Sequence, residues 1–387
     1  MATYLIKLTP LDKFFFGQKK TFGDDNVNYV VYSSFFPQQT ALLGLLRYQV
    51  LQIAGEEVFK NNKIQDKEKA AKLIGKQSFN PIVEDLQFGV IESISPIFII
   101  DNETKEYFLP VGRRFQKGDE TYELLHLSCE GGYPPIFDGY EAKRGMTSCW
   151  LSSTNNTRLS EEDFFIKDER IGIRKDYKGA TKDDSFFRQR YYRFNNFREV
   201  EREENGECKQ PPLRKHNFCF AVLLEKKDEK EIELSKLDKR IVYLGGERQP
   251  FLLEVSEETH TFAFKSTPFT SDKKYYTVVL LSDAVIEPDH LSDVKFASTE
   301  VKDFACLLTH VGTQNFYNKE RKRQKQYLEE SATALSLQQE LYARGSVFYF
   351  EREEQAKQFC NHLKNVSSFY TVGYNHAAMF NPSSSEK

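Results

Sequence analysis

Between Arg170 and Arg198 nine basic residues stand against three acids, which puts +6 on one stretch of a chain whose net charge is −3. Cations gathered this way make a local anion-binding surface without turning the whole protein into a polyanion binder. The densest part reads SFFRQRYYRFNNFR from Ser185 to Arg198. In an extended strand Arg188 and Arg190 point to one face, while Phe187, Gln189 and Tyr191 point to the other. The arginines would then meet phosphates over a buried aromatic face; alternatively, exposed tyrosines would stack on unpaired bases. An edge strand with solvated arginines has the same pattern.

Three further features bear on chemistry. The loop FFFGQKKTFGDDN carries Lys19 and Lys20 between the turn glycines Gly17 and Gly23. It precedes Pro37-Gln38-Gln39-Thr40 and a helical run of Leu42, Leu43, Leu46, Val50 and Ile53 that Gly55 stops. Thr40 is placed to cap this helix, as an Asp or Ser upstream would be. Backbone amides at a helix start favour an anion, and the lysines would add charge, although the stretch reads equally as a plain helix lead-in. Tyr243-Leu244-Gly245-Gly246-Glu247-Arg248 sets paired glycines after a strand. They suit a tight hairpin, or a backbone that approaches a ligand closely, and fit neither a Walker loop nor a dinucleotide fingerprint. His216, His310 and His376 could each be drawn into a ribonuclease mechanism. None has a lysine, tyrosine or second histidine at telling spacing, and a lone histidine is more often structural.

Holding such groups requires a frame. Strand patterns are expected over 4–8, 88–94, 97–100, 187–194, 218–224, 240–244, 275–281 and 346–350, a charged, helical or exposed run over 60–76, and another charged run over 319–339. The region 101–156 has no clear periodicity. Strand and helix signals intermix without the alternation of a doubly wound sheet, which predicts an α+β fold with antiparallel sheets. No 20–50-residue repeat is visible, and 387 residues suit two domains. Six widely spaced cysteines lack a Cys-x-x-Cys pair and read as reduced thiols. Neither metal nor cofactor is expected. No apolar run approaches a bilayer crossing and no leader is evident, so a cytoplasmic protein without membrane partners is expected.

Taken in order, these stretches resemble the RAMP subunit of type III-B CRISPR effector (Cmr) complexes that partners the large polymerase-type subunit. LIKLTPLDKFFFGQKKTFG and SSFFPQQTALLGLLR are similar to that family's opening signature, RIGIRKDYKGATKDDSFFRQRYYRF to its RxGI segment, VYLGGERQPF to its Leu-Gly-Gly-Glu segment, and ARGSVFYFE to its AGSVYYFE-like strand. The resemblance implies two ferredoxin-like (RRM/RAMP-type) domains with long insertions, expected here at 1–160 and 161–387. It also implies a non-catalytic subunit that grips the 5′ tag of the guide crRNA and docks the large subunit beside other RAMP subunits. Matching positions nominate Lys19, Lys20, Gln38, Gln39, Thr40 and Arg47, then Arg170, Arg174, Arg188 and Arg190 with Gly245, Gly246 and Arg248. Cations would take phosphates, amides and the hydroxyl base edges or 2′-OH, and glycines close approach; Arg47 could instead pair with an acid on the helix surface. Three departures stand out: Gln38 replaces a second proline, Arg344 an alanine, and Asn375 a glycine, asparagine tolerating positive φ better than most residues. The rival readings are a RAMP endoribonuclease that processes the guide precursor, and a protein-only assembly subunit.

Overall fold

The computed structural model describes residues 2–17, 30–119, 121–128, 135–175, 178–179, 181–196, 216–227, 232–258, 272–311 and 334–383; side chains at 174–175 and 181–187 are outside that description. The opening strand Ala2–Pro10 buries both faces, Leu5 against Phe98, Ile100 and Cys219, and Tyr4, Ile6 and Leu8 in the main core with Leu42, Leu43 and Leu46. Two-sided burial follows from its central place: it pairs antiparallel with Phe218–Lys226 on one edge and with Gln249–Glu257 on the other. Phe98–Asp101 lies beyond the former and Arg240–Leu244 beyond the latter. The boundary expected after position 160 therefore runs through this sheet and would part the opening strand from both neighbours.

A second antiparallel sheet runs in the order Phe296–Ser298, Val347–Phe350, Tyr276–Leu280, Ala377–Phe380. Helix Glu353–Asn365 sets Ala356, Phe359 and Leu363 against Val278, Leu280, Phe348 and Phe350 on one face. The region 101–156 supplies the cover for the other. Its strands Tyr107–Lys117 and Thr147–Ser152 place Val111, Phe115, Cys149 and Leu151 against Val279, Val347 and Tyr349. Close packing explains Gly112, whose φ is +102 and where a Cβ would lie 2.3 Å from the Val347 side chain. Buried on both faces and kinked by register shifts against each other, these strands show no clean alternation.

A third sheet, Phe165–Lys175, Thr181–Phe194, Val30–Ser34 and Phe16–Gly17, is antiparallel except where 188–190 run parallel to 30–32. Phe14 ties it to the core, its ring 5.9 Å from Phe165, 6.0 Å from Phe194 and 5.2 Å from Phe220. The architecture is thus a mixed α/β fold dominated by antiparallel sheets, with few helices. No helix among the described residues is long and apolar enough to cross a membrane.

Candidate nucleic-acid interface

Side chains of Thr181–Phe194 alternate across the third sheet as a strand's must. On the Gln189 face Tyr191 is 2% exposed and packs with Phe15 and Val31; on the face of Arg188 and Arg190 Tyr192 is buried as well, its ring 4.4 Å from Phe35, where the end of the strand enters the main core. Of the two readings open for these tyrosines, burial holds. Outward, Arg188 lies beside Ile171 and Arg190 beside Glu169, with Tyr32 next to Arg190 on the other side. Arg190 donates from Nε and Nη2 to Glu169 Oε1 at 3.0 and 2.7 Å, which raises its pKa, and its guanidinium lies 4.7 Å from the Tyr32 ring centroid. The ion pair holds the guanidinium plane in place. Arg170 is exposed on the adjoining strand opposite Gln189. The Arg174 side chain, Lys19, Lys20 and 312–333 of the charged run fall outside the described residues. Both flanks of the lysine loop are described: Gly17 pairs with Ser33, and Val30 with Arg188. The loop leaves from and returns to this sheet.

The glycine turn belongs to the opposite side. Gly246 N–H donates to Phe15 O at 3.2 Å, and a Cβ on Gly245, whose φ is +88, would come within 2.4 Å of the same oxygen. Close approach does require these glycines, but the neighbour is this chain's own backbone. Gln189 donates to Glu247 Oε1 at 3.3 Å. Because Gln189 alternates with Arg188 and Arg190, the turn meets the strand's inner face. Arg248, exposed with φ +50, sits over the Tyr243 ring at 5.4 Å. The residues nominated as one group thus divide between two faces.

The helix start is also rearranged. Helix Gln39–Ile53 has Gln38 at its N-cap in extended conformation with no side-chain cap, so Thr40 lies inside the first turn and is not the cap. Gln38 is exposed and Thr40 half-buried near the Tyr374 hydroxyl. Gln39 is only 3% exposed; its Nε2 donates to Ser95 O at 2.8 Å and Val372 O at 3.1 Å. Arg47, 7% exposed, donates from Nε to Ile74 O at 2.7 Å and reaches Gly75 O at 3.5 Å, capping the carbonyl end of helix Lys67–Ile74. Burial pulls its pKa down to about 10. Gln39 and Arg47 are therefore removed from the candidate interface, because their polar ends bind interior carbonyls; nor does Arg47 pair with a surface acid among the described residues. Arg344 stands in a place the candidate set missed, its guanidinium 4.4 Å from the Phe36 ring and 5.6 Å from that of Trp150, just before the helix. Asn375 has the positive φ asked of it, +59, and is buried with its amide bonded to Val285 O and Leu363 O.

The three histidines occupy three separate settings. His376 carries its proton on Nε2, which donates to Tyr370 O at 3.1 Å, and burial pulls its pKa down to about 4. His216 Nδ1 lies 2.9 Å from Asp101 Oδ2, with the ring stacked on Phe218. His310 pairs through its backbone with Gln77. Cys149, Cys219 and Cys306 are buried free thiols, and burial pushes Cys219 up to about 12.

A profile of CRISPR-associated proteins, Cas_Cmr3, matches residues 6–382. The chain belongs to the Cas_Cmr3 family. It is accordingly a RAMP-type subunit of the type III-B effector, as its opening motifs implied. The structural matches include two solved chains. One, from the cryo-EM structure of the type III-B Cmr-beta bound to cognate target RNA, is 15% identical, with a TM-score of 0.46 over 97% of this chain and 96% of that one. Another, from that assembly with cognate target RNA and AMPPnP, is 15% identical, with a TM-score of 0.47 over 98% and 99%. No curated protein matches the chain. Besides Arg344, the family motifs passed over Tyr32, whose outward aim was written in the alternation of Val31, Tyr32 and Ser33.

Proposed function

We propose that this Cas_Cmr3-family chain is a non-catalytic RNA-binding scaffold subunit of a type III-B effector ribonucleoprotein. It grips the 5′ tag of the guide crRNA and docks the large polymerase-type subunit among other RAMP subunits. The carrying observation is the outward face of the third sheet, where Arg188 stands beside Val30–Ser34, the strand that follows the Lys19–Lys20 loop, and where Phe16–Gly17, the strand that precedes the loop, pairs with the far end of Val30–Ser34. Val30–Ser34 then continues through Phe35 and Phe36 to the helix start, where no side chain caps the first amides and Arg344 supplies a cation. Single-stranded RNA crossing from sheet to helix start would meet cations first and backbone donors next.

Two ferredoxin-like units support the scaffold role, and we place them differently from a cut at 160. Within residues 2–101 and 218–257 the strands Ala2–Pro10, Phe98–Asp101, Phe218–Lys226 and Gln249–Glu257, taken as first to fourth, lie in sheet order fourth, first, third, second, with helix Gln39–Ile53 after the first, the short turn Leu234–Leu237 before the fourth and Arg240–Leu244 added outside the fourth. Residues 276–380 repeat that order, here with the first helix reduced to Pro288–Leu291. Segments 102–217 and 299–346 are insertions in the same connection of each unit.

The test is guide retention by the assembled complex, purified through one tagged chain and washed across a salt series. Lys19→Glu with Lys20→Glu should weaken retention and flatten its salt dependence by roughly 0.7 per lost phosphate contact. A stoichiometric preparation free of RNA and of any large companion overturns the proposal. Metal-independent cleavage of repeat RNA that a His→Ala change abolishes would favour the endoribonuclease; the neutral, carbonyl-bound His376 argues against it.

A further inference from the structure

Within the outward face of the third sheet, Tyr32 and Arg190 form a layer that is chemically unlike its surroundings. Tyr32 is 39% exposed although Val31 and Ser33 on either side are buried. Arg190 lies over its ring at 4.7 Å, and both Nε and Nη2 are bonded to Glu169 Oε1. Glu169 thereby cancels the charge of Arg190, fixes the guanidinium plane and occupies its edge. What remains is a pair of flat faces with almost no net charge. A phosphate gains little there, since the carboxylate beside the arginine repels it; a planar, uncharged base gains dispersion and cation–π contact. Arg188 is two residues away on the same face, about 6.6 Å along the strand, and exposed Ile171 stands at its cross-strand position.

We propose that an unpaired base of single-stranded RNA stacks on the Tyr32–Arg190 layer, while the adjoining phosphate is taken by Arg188 and the ribose rests against Ile171. The inference rests on the RNA-binding reading above and assigns it a subsite. Stacking of this kind is tolerant of base identity, because every base offers a π face. Arg190 is then a positioning residue, and Tyr32 the side chain that makes the platform.

The test titrates the full-length chain, alone and in the assembled complex, with a fluorescein-labelled eight-nucleotide single-stranded RNA between 50 and 300 mM salt. Tyr32→Ala should weaken binding about 5- to 150-fold with no change in the slope of log K against log salt. Tyr32→Phe, which keeps the ring, should bind as the unaltered chain does. Arg188→Gln should lower the slope by about 0.7. If Tyr32→Ala binds normally while Arg188→Gln weakens binding, stacking falls and the RNA reading stands. If the unaltered chain binds no RNA in either form, the RNA reading itself falls. A loss of slope in Tyr32→Ala equal to that in Arg188→Gln, a large drop in its melting temperature, or Tyr32-dependent binding of an oligoglutamate peptide in place of RNA would each overturn the proposal.

Discussion

Helix Gln39–Ile53 and strand Thr181–Phe194 both carry polar residues nominated for RNA, and the fold treats them oppositely. The helix turns Gln39 and Arg47 inward, where they bind the carbonyls of Ser95, Val372 and Ile74. On the strand Tyr191 turns inward with Gln189, leaving Arg188 and Arg190 on the outer face, which the main core covers only from Tyr192 onward. A helix packed between other elements has neighbours round much of its circumference, so a polar side chain becomes a structural bond wherever a bare carbonyl waits. A sheet offers each strand two faces, and where only one is covered the other stays open to a ligand. Residue type alone does not distinguish these outcomes; the geometry of the element does.

The contrast can be broken in several places. Tyr191→Ala should give the largest effect, costing about 3–5 kcal/mol of stability by opening a cavity beside Phe15 and Val31. Chemical denaturation measures it, and normal stability together with lost RNA binding would move Tyr191 to the outer face. Arg47→Ala should cost about 2–4 kcal/mol, since Ile74 O and Gly75 O lose their donor, while guide binding per folded molecule stays unchanged. A guide defect without a stability defect would return Arg47 to the interface.

Acid sharpens the same division. His376 is held near 4 in the folded chain against 6.5 when free, so the unfolded chain binds the extra proton. Its contribution is complete above about pH 6.5 and is lost as pH falls towards 4, to a total of about 3 kcal/mol. The His376 ring lies on Tyr370 and is no part of the third sheet, so RNA affinity of the still-folded protein should be insensitive to this histidine's protonation. Melting curves and binding isotherms collected together read both sides. Arg188→Gln should give the smallest stability effect, within about 0.5 kcal/mol; a larger fall in melting temperature would make Arg188 part of the packing.

Legibility followed locality. The strand at 240–244 and the helix after Pro37 were readable because period and punctuation lie within a few residues, and positive φ at Asn375 followed from its own chemistry. The inward turn of Gln39 was not readable: its partners Ser95 and Val372 are 56 and 333 residues away. Thr40 looked like a cap only because the helix start was placed two residues late. The glycines at 245 and 246 signalled close approach correctly, but spacing does not say whether RNA or Phe15 does the approaching. Strands 107–117 and 147–152 escaped because burial on both faces erases alternation.

The central place of Ala2–Pro10 has a consequence for synthesis. Its two bonded neighbours end at Lys226 and Glu257, so this strand, once made, waits until synthesis has passed Glu257 before it can be flanked on both edges. At roughly 5–20 residues per second that delay is about 10–50 s. Throughout it the apolar ribbon of Tyr4, Leu5, Ile6 and Leu8 needs shelter, and fragments ending near 160 should cling to chaperones or precipitate.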